Sequence, residues 1–397
     1  MNLGTARIAK TCLRTRMRDP RRSPDTAFRY VDISAIDRSL KVITSVPEIL
    51  GADAPSRARK EIVEGDVLVS TVRPNLNAVA VVPPELNGQI ASTGFCILRP
   101  NRAVIDGKYL FYFTTTSYFI GILSGKVRGA HYPAVSDGDV KNIEMPLPTL
   151  SEQRRIVEIL DQADALRRNR AEADAKAVRI LPALFYKMFG DPATNPKGLS
   201  KKKLEDLIKV RSGNFLPAKN MDPNGHYPVY GGNGINGYHS EFMFEQPVIV
   251  LGRVGIYCGA VHYSEPKCWV TDNALYVAEQ SNDLHSRYLA EALRVANLNQ
   301  YAGRAGQPLI SGSRIYPIEI LVPPPEKQEV FANRIVALHR HEKRRQDAGD
   351  HIERLFSVLL HRAFTGDLTA KWREANMNDL LAEMEQQAKA LDVRVEP

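Results

Sequence analysis

Three stretches of the sequence carry residue types that could do chemistry. Gly232-Asn233-Gly234-Ile235-Asn236-Gly237 has the glycine spacing of a dinucleotide-binding loop, where glycines let the backbone approach a pyrophosphate at a helix start. No strong strand precedes it and no apolar helix follows, so turns in a β-rich region are the default reading. Gly121 to Lys126 approaches a phosphate loop, but its glycine spacing is wrong and Val127 stands where Ser or Thr must hold magnesium. Cys258, His262 and Cys268 lack the spacing and the fourth ligand of a zinc site. No paired carboxylates beside a lysine suggest a nuclease centre, and no Asn-Pro-Pro or Asp-Pro-Pro string suggests an amino-methyltransferase. Missing together, these motifs favour a binding protein over an enzyme.

The elements that would have to position any site are organised by an internal repeat. Pro146 to Asp191 and Pro323 to Asp367 share one plan: prolines, a polar first turn, a long helical pattern, then Gly-Asp. Glu152-Gln153 returns as Lys327-Gln328 after 175 residues, and Gly190-Asp191 as Gly366-Asp367 after 176. In the first copy Ile156, Leu160, Ala163, Ala173, Ala177, Ile180, Leu184 and Met188 recur at helical spacing. In the second, Phe331, Ile335, Leu338, Ile352, Leu355, Leu359 and Ala363 do so, and Arg340 to Arg345 offers no apolar residue, which predicts looser pairing there. A narrow seam flanked by charge is the mark of a helix paired with another helix, so the two copies are expected to pair with each other. Core helices of one large domain are the competing reading. Pro182 should kink or break the first copy. About forty helical residues span roughly 60 Å.

A chain of 397 residues should form two or three domains. Its net charge of +8 favours an acidic partner such as nucleic acid. Cys12, Cys96, Cys258 and Cys268 are too scattered for a disulfide framework and read as reduced thiols of a cytoplasmic protein. The basic N-terminus has no apolar run behind it, so no signal peptide is expected, and no segment is long and apolar enough for a membrane span.

In chain order, residues 1–30 hold Arg7, Lys10, Arg14, Arg16, Arg18, Arg21, Arg22 and Arg29, which read equally as a solvated arm or a phosphate-tracking one. Short strands follow: Gly65 to Arg73 leads into a Pro-Asn turn, then come Ala78 to Val82 and Phe95 to Leu98. Tyr109 to Leu123 reads as one aromatic-rich helix, and Lys126 to Tyr132 as a basic loop. Residues 198–325 repeat this order loosely. Lys201-Lys202-Lys203 leads into a short helix, and Tyr227 to Tyr238 is a glycine-rich turn region. Val248 to Arg253 resembles the Val67 to Arg73 strand, with Arg253 opposite Arg73. Val270 to Ala274 takes the place of Ala91 to Phe95, Arg287-Tyr288-Leu289 that of Lys108-Tyr109-Leu110, and Gly303 to Pro308 that of Val127 to Pro133. Leu380, Met384, Ala388 and Leu391 predict an amphipathic docking helix near the C-terminus.

A β-rich domain, a proline-rich strand end and a long helix closing in Phe-Gly-Asp or Thr-Gly-Asp, each occurring twice, with Glu-Gln at the first helix start and Lys327-Gln328 departing from it at the second, resembles the specificity (S) subunit of type I restriction–modification enzymes. The strings GDVLVS, VTDNALYV and AGQPLIS fall in the matching order, and the likeness covers nearly the whole chain. The resemblance implies an α+β fold with two similar β-rich target recognition domains separated by two long helices. The helices would pair as an antiparallel coiled coil with pseudo-two-fold symmetry. The implied division is 1–150, N-terminal recognition domain; 151–191, central spacer helix; 198–325, C-terminal recognition domain; 326–367, second spacer helix; 368–397, C-terminal helix. It further implies a non-catalytic chain that reads a bipartite site on double-stranded DNA. Two modification (methyltransferase) subunits and restriction (motor–nuclease) subunits would be its partners. S-adenosylmethionine, ATP and magnesium would belong to those partners, with no cofactor in this chain. A methyltransferase or nuclease with an unread motif and a structural coiled-coil scaffold are the alternatives.

Polar and basic residues in loops that lie alike in both halves are the candidate DNA contacts. They are Arg73, Arg128, His131 and Tyr132 in the first half, and Tyr230, Asn233, Arg253, Arg304 and Gln307 in the second. Arg and Asn/Gln have the geometry for bidentate contact with guanine and adenine, while a phosphate contact remains open for each.

Overall fold

The computed structural model describes residues 4–129, 133–303 and 308–392. The principal elements run β1 (Thr5–Arg7), β2 (Cys12–Leu13), β3 (Ala27–Val31), β4 (Glu48–Leu50), β5 (Ala58–Ile62), β6 (Val67–Ser70), β7 (Val79–Val81), β8 (Gln89–Ser92), β9 (Phe95–Pro100), α1 (Gly107–Thr114), α2 (Ser117–Gly125) and β10 (Glu144–Pro146). The helices α3 (Leu150–Ala177) and α4 (Ile180–Phe189) come next. Then follow β11 (Ser200–Lys203), β12 (Ile208–Ser212), β13 (Tyr227–Gly231), β14 (Gly234–His239), β15 (Ile249–Gly252), β16 (Val261–Tyr263), β17 (Trp269–Val270), β18 (Ala274–Gln280), α5 (Ser286–Val295) and β19 (Glu319–Val322). The chain closes with α6 (Pro325–Thr365), α7 (Ala370–Ala375) and α8 (Met377–Asp392).

The chain divides into two compact units, Met1–Ala171 with Ala348–Pro397, and Glu172–Asp347. Both α3 and α6 are shared between them. In the first unit, strands lie in the orders β4-β3-β8-β5 and β2-β9-β6-β7, and β1 pairs with β10. In the second, the orders are β12-β18-β15-β16 and β14-β13-β17, and β11 pairs with β19. The parallel pair β3/β8 (Tyr30 opposite Ile90) has its counterpart in β13/β17 (Val229 opposite Trp269). The antiparallel set β7-β6-β9 has its counterpart in β16-β15-β18.

Alternation explains why β6 is buried on both sides. Val67 and Val69 face one core with Val79, Cys96 and Leu98, while Leu68 faces another with Ala80 and Ile97. The first core is closed by Tyr109 and Phe113 of α1, Ile156, Leu160 and Ala163 of α3, and Phe356, Leu360 and Ala363 of α6. The start of α3 therefore packs against the end of α6. In the second unit Phe185 and Phe189 of α4 meet Tyr288 of α5 and Phe331 of α6, with ring centroids 5.0–5.9 Å apart. There the start of α6 packs against α4, so within each unit the long helices run antiparallel, as expected.

Several sequence expectations need correction. The basic N-terminal residues form no free arm: β1, β2 and β3 are paired strands, and the Arg18 N–H donates to the Arg59 carbonyl at 2.8 Å. The helix expected over 109–123 is two helices, because the Thr116 side chain accepts from the Phe119 N–H and starts a new one. Lys201-Lys202-Lys203 is strand, pairing with Leu321, Ile320 and Glu319, and it leads into a short helix as expected, the single 3-10 turn Leu204–Asp206. The glycine-rich region is a β-hairpin, β13–β14, and Gly121 to Gly125 is helical.

The first helical copy does break, at 178–179, just before Pro182, whose missing N–H cannot bond the Val178 carbonyl. That break shifts the phase, so Phe185 and Phe189 turn inward while Ile180, a predicted seam residue, is exposed. In the second half of α6 the buried face is Phe356-Leu360-Ala363, and Leu355 points outward, while Phe331 and Ile335 of its first half are buried as expected. Where Arg340 to Arg345 lacks apolar residues, an ion pair takes their place: Arg345 Nε lies 3.0 Å from Asp174.

The repeated glutamine explains the sequence repeat. Buried Gln153 accepts from the Asp106 N–H at 2.8 Å and donates to the Val104 and Pro148 carbonyls at 3.1 and 2.8 Å. Buried Gln328 accepts from the His285 N–H at 2.8 Å and donates to the Asp283 and Pro323 carbonyls, both at 2.8 Å. Each ties a long helix to the entry of the short helix it packs on and satisfies groups that would be costly to bury unpaired.

The preceding residue distinguishes the two copies. Glu152 is buried and accepts from Thr369 Oγ1 and Arg373 at 2.6–3.0 Å, which fastens α7, whereas Lys327 is exposed. Helix α8 docks, but not through its whole predicted apolar face: Leu380 is buried while Met384 and Ala388 are exposed, and Glu383, which accepts from the Ser151 N–H, and buried Gln387 supply the other contacts.

Candidate nucleic-acid interface

Each unit carries the same backbone arrangement at the end of its central strand. In the first, the Val135 N–H donates to the Thr71 carbonyl at 2.9 Å and the Arg73 N–H to the Pro133 carbonyl at 2.8 Å. Arg128 and Ala134 exchange both backbone bonds at 3.0 Å, so residues 71–73, 133–135 and 128 form one ribbon. In the second, the Ile310 N–H donates to Arg253 at 2.9 Å, the Gly255 N–H to Pro308 at 3.0 Å, and Gly303 bridges Leu309. The two ribbons correspond in each of these residue pairings.

That correspondence corrects the sequence alignment. Arg253 occupies the place of Thr71, and Gly255 that of Arg73; Gly303 occupies that of Arg128. Counting along strands hid this, because the glycine that marks the position in one half is an arginine in the other. Both adopt left-handed backbone, Arg73 at φ 49° and Gly255 at φ 76°. By contrast, Val270 to Ala274 does replace Ala91 to Phe95 in register, and Tyr288 does replace Tyr109, donating its hydroxyl proton to the Leu321 carbonyl as Tyr109 does to Pro146.

The ribbon continues into a five-residue turn in both units, Arg73 to Asn77 and Gly255 to Gly259. Its last residue is also left-handed, Asn77 at φ 45° and Gly259 at φ 87°. The Leu76 N–H closes on the Arg73 carbonyl at 2.9 Å, and the Cys258 N–H on Gly255 at 3.0 Å. Each turn is anchored from beneath. Asn77 Nδ2 donates to the Thr114 carbonyl, and Lys41 Nζ donates to the Asn77 carbonyl and Oδ1 at 2.6 and 2.7 Å. Burial, with Arg167 and Arg38 nearby, pushes the Lys41 pKa down to about 8. In the second unit Asn299 Nδ2 donates to the Cys258 carbonyl at 2.7 Å, and a side chain at Gly259 would collide with Asn299 backbone.

The candidate side chains fare unequally. Arg73 is exposed, and Arg128 has 80% of its side chain in solvent, with Asp139 at 3.9 Å. Two cations thus stand on one ribbon, free to meet phosphate or base edges. Arg253 is held within its own unit, where Nη1 donates to Ser212 Oγ at 3.1 Å and the Asp272 carbonyl at 3.3 Å. Asn233 is exposed at the tip of the β13–β14 hairpin. Its neighbour Gly232 packs beside Gly252, close to the start of the second ribbon. Tyr230 is not a contact residue: its ring is buried with Val250, Cys268 and Val270, and its hydroxyl accepts from the Glu265 N–H at 3.0 Å. Burial raises its pKa. His131, Tyr132, Arg304 and Gln307 lie outside the described residues.

Comparison with known proteins agrees with this geometry. The family model for the type I restriction modification DNA specificity domain matches residues 44–174 and again 196–347, one match for each half and together well over half the chain. The specificity subunit of the type I restriction enzyme EcoprrI from Escherichia coli is 25% identical over 290 residues, which cover 68% of this chain and 70% of that one. The EcoKI specificity subunit from E. coli K12 is 23% identical over 326 residues, covering 71% and 70%. A solved chain from work on complex assembly and conformational transition of the type I R-M system aligns with a TM-score of 0.62 and 29% identity. That alignment covers 92% of this chain and 98% of that one. The S subunit from M. genitalium shares the fold, with a TM-score of 0.59 at 14% identity over 92% of this chain and 96% of that one. Two matched specificity domains, each carrying the same ribbon and turn, establish that this chain belongs to the family of type I restriction–modification DNA specificity subunits.

Proposed function

We propose that each unit reads one half of a bipartite DNA target and that the chain directs adenine methylation and restriction performed by other subunits. The observation that carries this reading is the duplicated ribbon and turn: one backbone frame, built twice, bearing different side chains. A frame repeated along one chain suits two half-sites on one duplex. The exposed Arg73 and Arg128 supply phosphate or guanine contacts on that frame. Two modification subunits, which bind S-adenosylmethionine, and restriction subunits, which use ATP and magnesium, are the partners; this chain performs no catalysis itself.

The test is a map of methylated adenines in DNA modified by this chain with its modification subunit. A split motif with an unspecified gap is expected, and replacing residues 1–145 with the equivalent domain of a relative should change one half of it. A continuous motif, or a change in both halves, overturns the reading. Radiolabelled methyl transfer by the purified chain alone would refute its non-catalytic role.

A further inference from the structure

The five-residue turns have tips that the ribbon and its anchors leave outside. In the first unit these are Asn75, exposed, and Leu76, 40% exposed. In the second they are Ile256 and Tyr257, 85% and 50% exposed. An aliphatic side chain so open to water is not there for the core, since burying it would be worth about 1.5–3 kcal/mol. Each tip pairs one apolar side chain with one that hydrogen-bonds. That combination suits a base-pair edge: asparagine matches adenine N6 and N7, and aliphatic groups meet the thymine methyl.

Two further observations favour DNA over a protein partner. In the first unit the turn begins at Arg73 and shares its ribbon with Arg128, so cations border the apolar tip. More tellingly, the one turn position exposed in both units carries different side chains, Asn75 in the first and Tyr257 in the second, while the apolar Leu76 and Ile256 stand on opposite sides of it. Two copies of one modification subunit would require like residues at like positions, whereas two unlike half-sites require unlike residues on a common frame. The anchoring of Asn77 and Gly259 fixes each tip before binding, which lowers the ordering cost of contact.

We propose that the tips of these turns, Asn75-Leu76 and Ile256-Tyr257, are specificity-determining residues that touch base edges, one pair in each half-site. This deepens the bipartite reading proposed above and rests on it. The test uses the complex of the full chain with its modification subunit and double-stranded DNA carrying the parent motif or single-base variants. Ile256→Ala with Tyr257→Ala should relax base preference on the order of tenfold to a hundredfold at one or two positions of one half-site and leave the other half unchanged. Asn75→Ala should do the same in the other half. Unchanged preference at every position overturns the proposal, as does an equal loss of affinity for all sequences, which would mark a phosphate contact. Where an alanine variant fails to assemble, Ile256→Val and Tyr257→Phe preserve the shape. A shifted preference at one position then supports the proposal, and an unchanged motif overturns it. The parent complex separates the two levels: a split parent motif with indifferent tips sinks only this inference, and a parent without a split motif sinks the function itself.

Discussion

Replacing Glu152 by alanine should release the C-terminal helices while leaving the rest of the first unit folded. The Glu152 side chain is 3% exposed and that of Arg373 15%. The carboxylate receives Thr369 Oγ1 at 2.6 Å, Arg373 Nη2 at 2.6 Å and Arg373 Nε at 2.9 and 3.0 Å. Breaking a buried pair from one side costs about 3–5 kcal/mol, since it strands the other charge. Arg373 retains the Gly366 carbonyl at 2.8 Å and some access to water, which places the cost near ~3 kcal/mol.

Because α7 and α8 can undock before the sheets unfold, the loss appears as local opening. At ~1.36 kcal/mol per tenfold, amide exchange across Met377–Asp392 should accelerate roughly 150-fold. Exchange in β6 and β9 should be unaffected. Arg373→Ala should cost a similar amount, and the double variant should cost clearly less than the sum, because neither charge is then left buried alone. Lys327→Glu, at the equivalent but exposed position, should change stability by no more than about 0.5 kcal/mol. Unaltered exchange in α8, or additive single effects, would refute the latch.

Other tests follow from particular positions. Arg73→Gly relieves a left-handed residue, worth about 1–2 kcal/mol, against about 0.5–1 for the added freedom of glycine. Denaturant unfolding should show a small gain while DNA affinity falls; lost stability would mean that Arg73 is not strained. Deleting Ala171 to Asp174 removes the partner of Arg345 and four helical residues, ~6 Å of rise with a net turn of ~40°. The gap between half-sites should shorten by about one or two base pairs, at 3.4 Å each, with both half-sites kept. An unchanged gap at full activity would show that these helices do not set the spacing. Burial lowers the pKa of His262, whose Nε2 lies 3.3 Å from the Gly232 carbonyl. A histidine depressed in the folded state binds its proton more readily unfolded, so its contribution is present above the unfolded value of 6.5 and is lost as pH falls below it. His262→Asn should flatten the fall in unfolding free energy below that pH, and an identical pH profile would contradict this.

The sequence alone determined the repeat, two long helices with seams suited to pair with each other and the β-rich character of both halves; that the helices run antiparallel was implied only by the family resemblance. These rest on local signals that survive in any context: apolar spacing, proline-led starts and Gly-Asp stops. It located the break before Pro182 as well, since a missing N–H acts within one turn of helix. Tertiary structure decided what lies across the chain. The inward turn of Phe185, Phe356 and Leu360 depends on which helix face meets the sheet, and neighbouring apolar residues leave that phase ambiguous. The equivalence of Arg73 with Gly255, rather than with Arg253, is written in hydrogen bonds to residues 133 and 308, far away in sequence. Tyr230 read as a polar loop residue until the packing of Val250 and Cys268 around its ring placed it in the core. A side chain's type is set by the sequence, but its access to solvent is set by the neighbours that the fold brings to it.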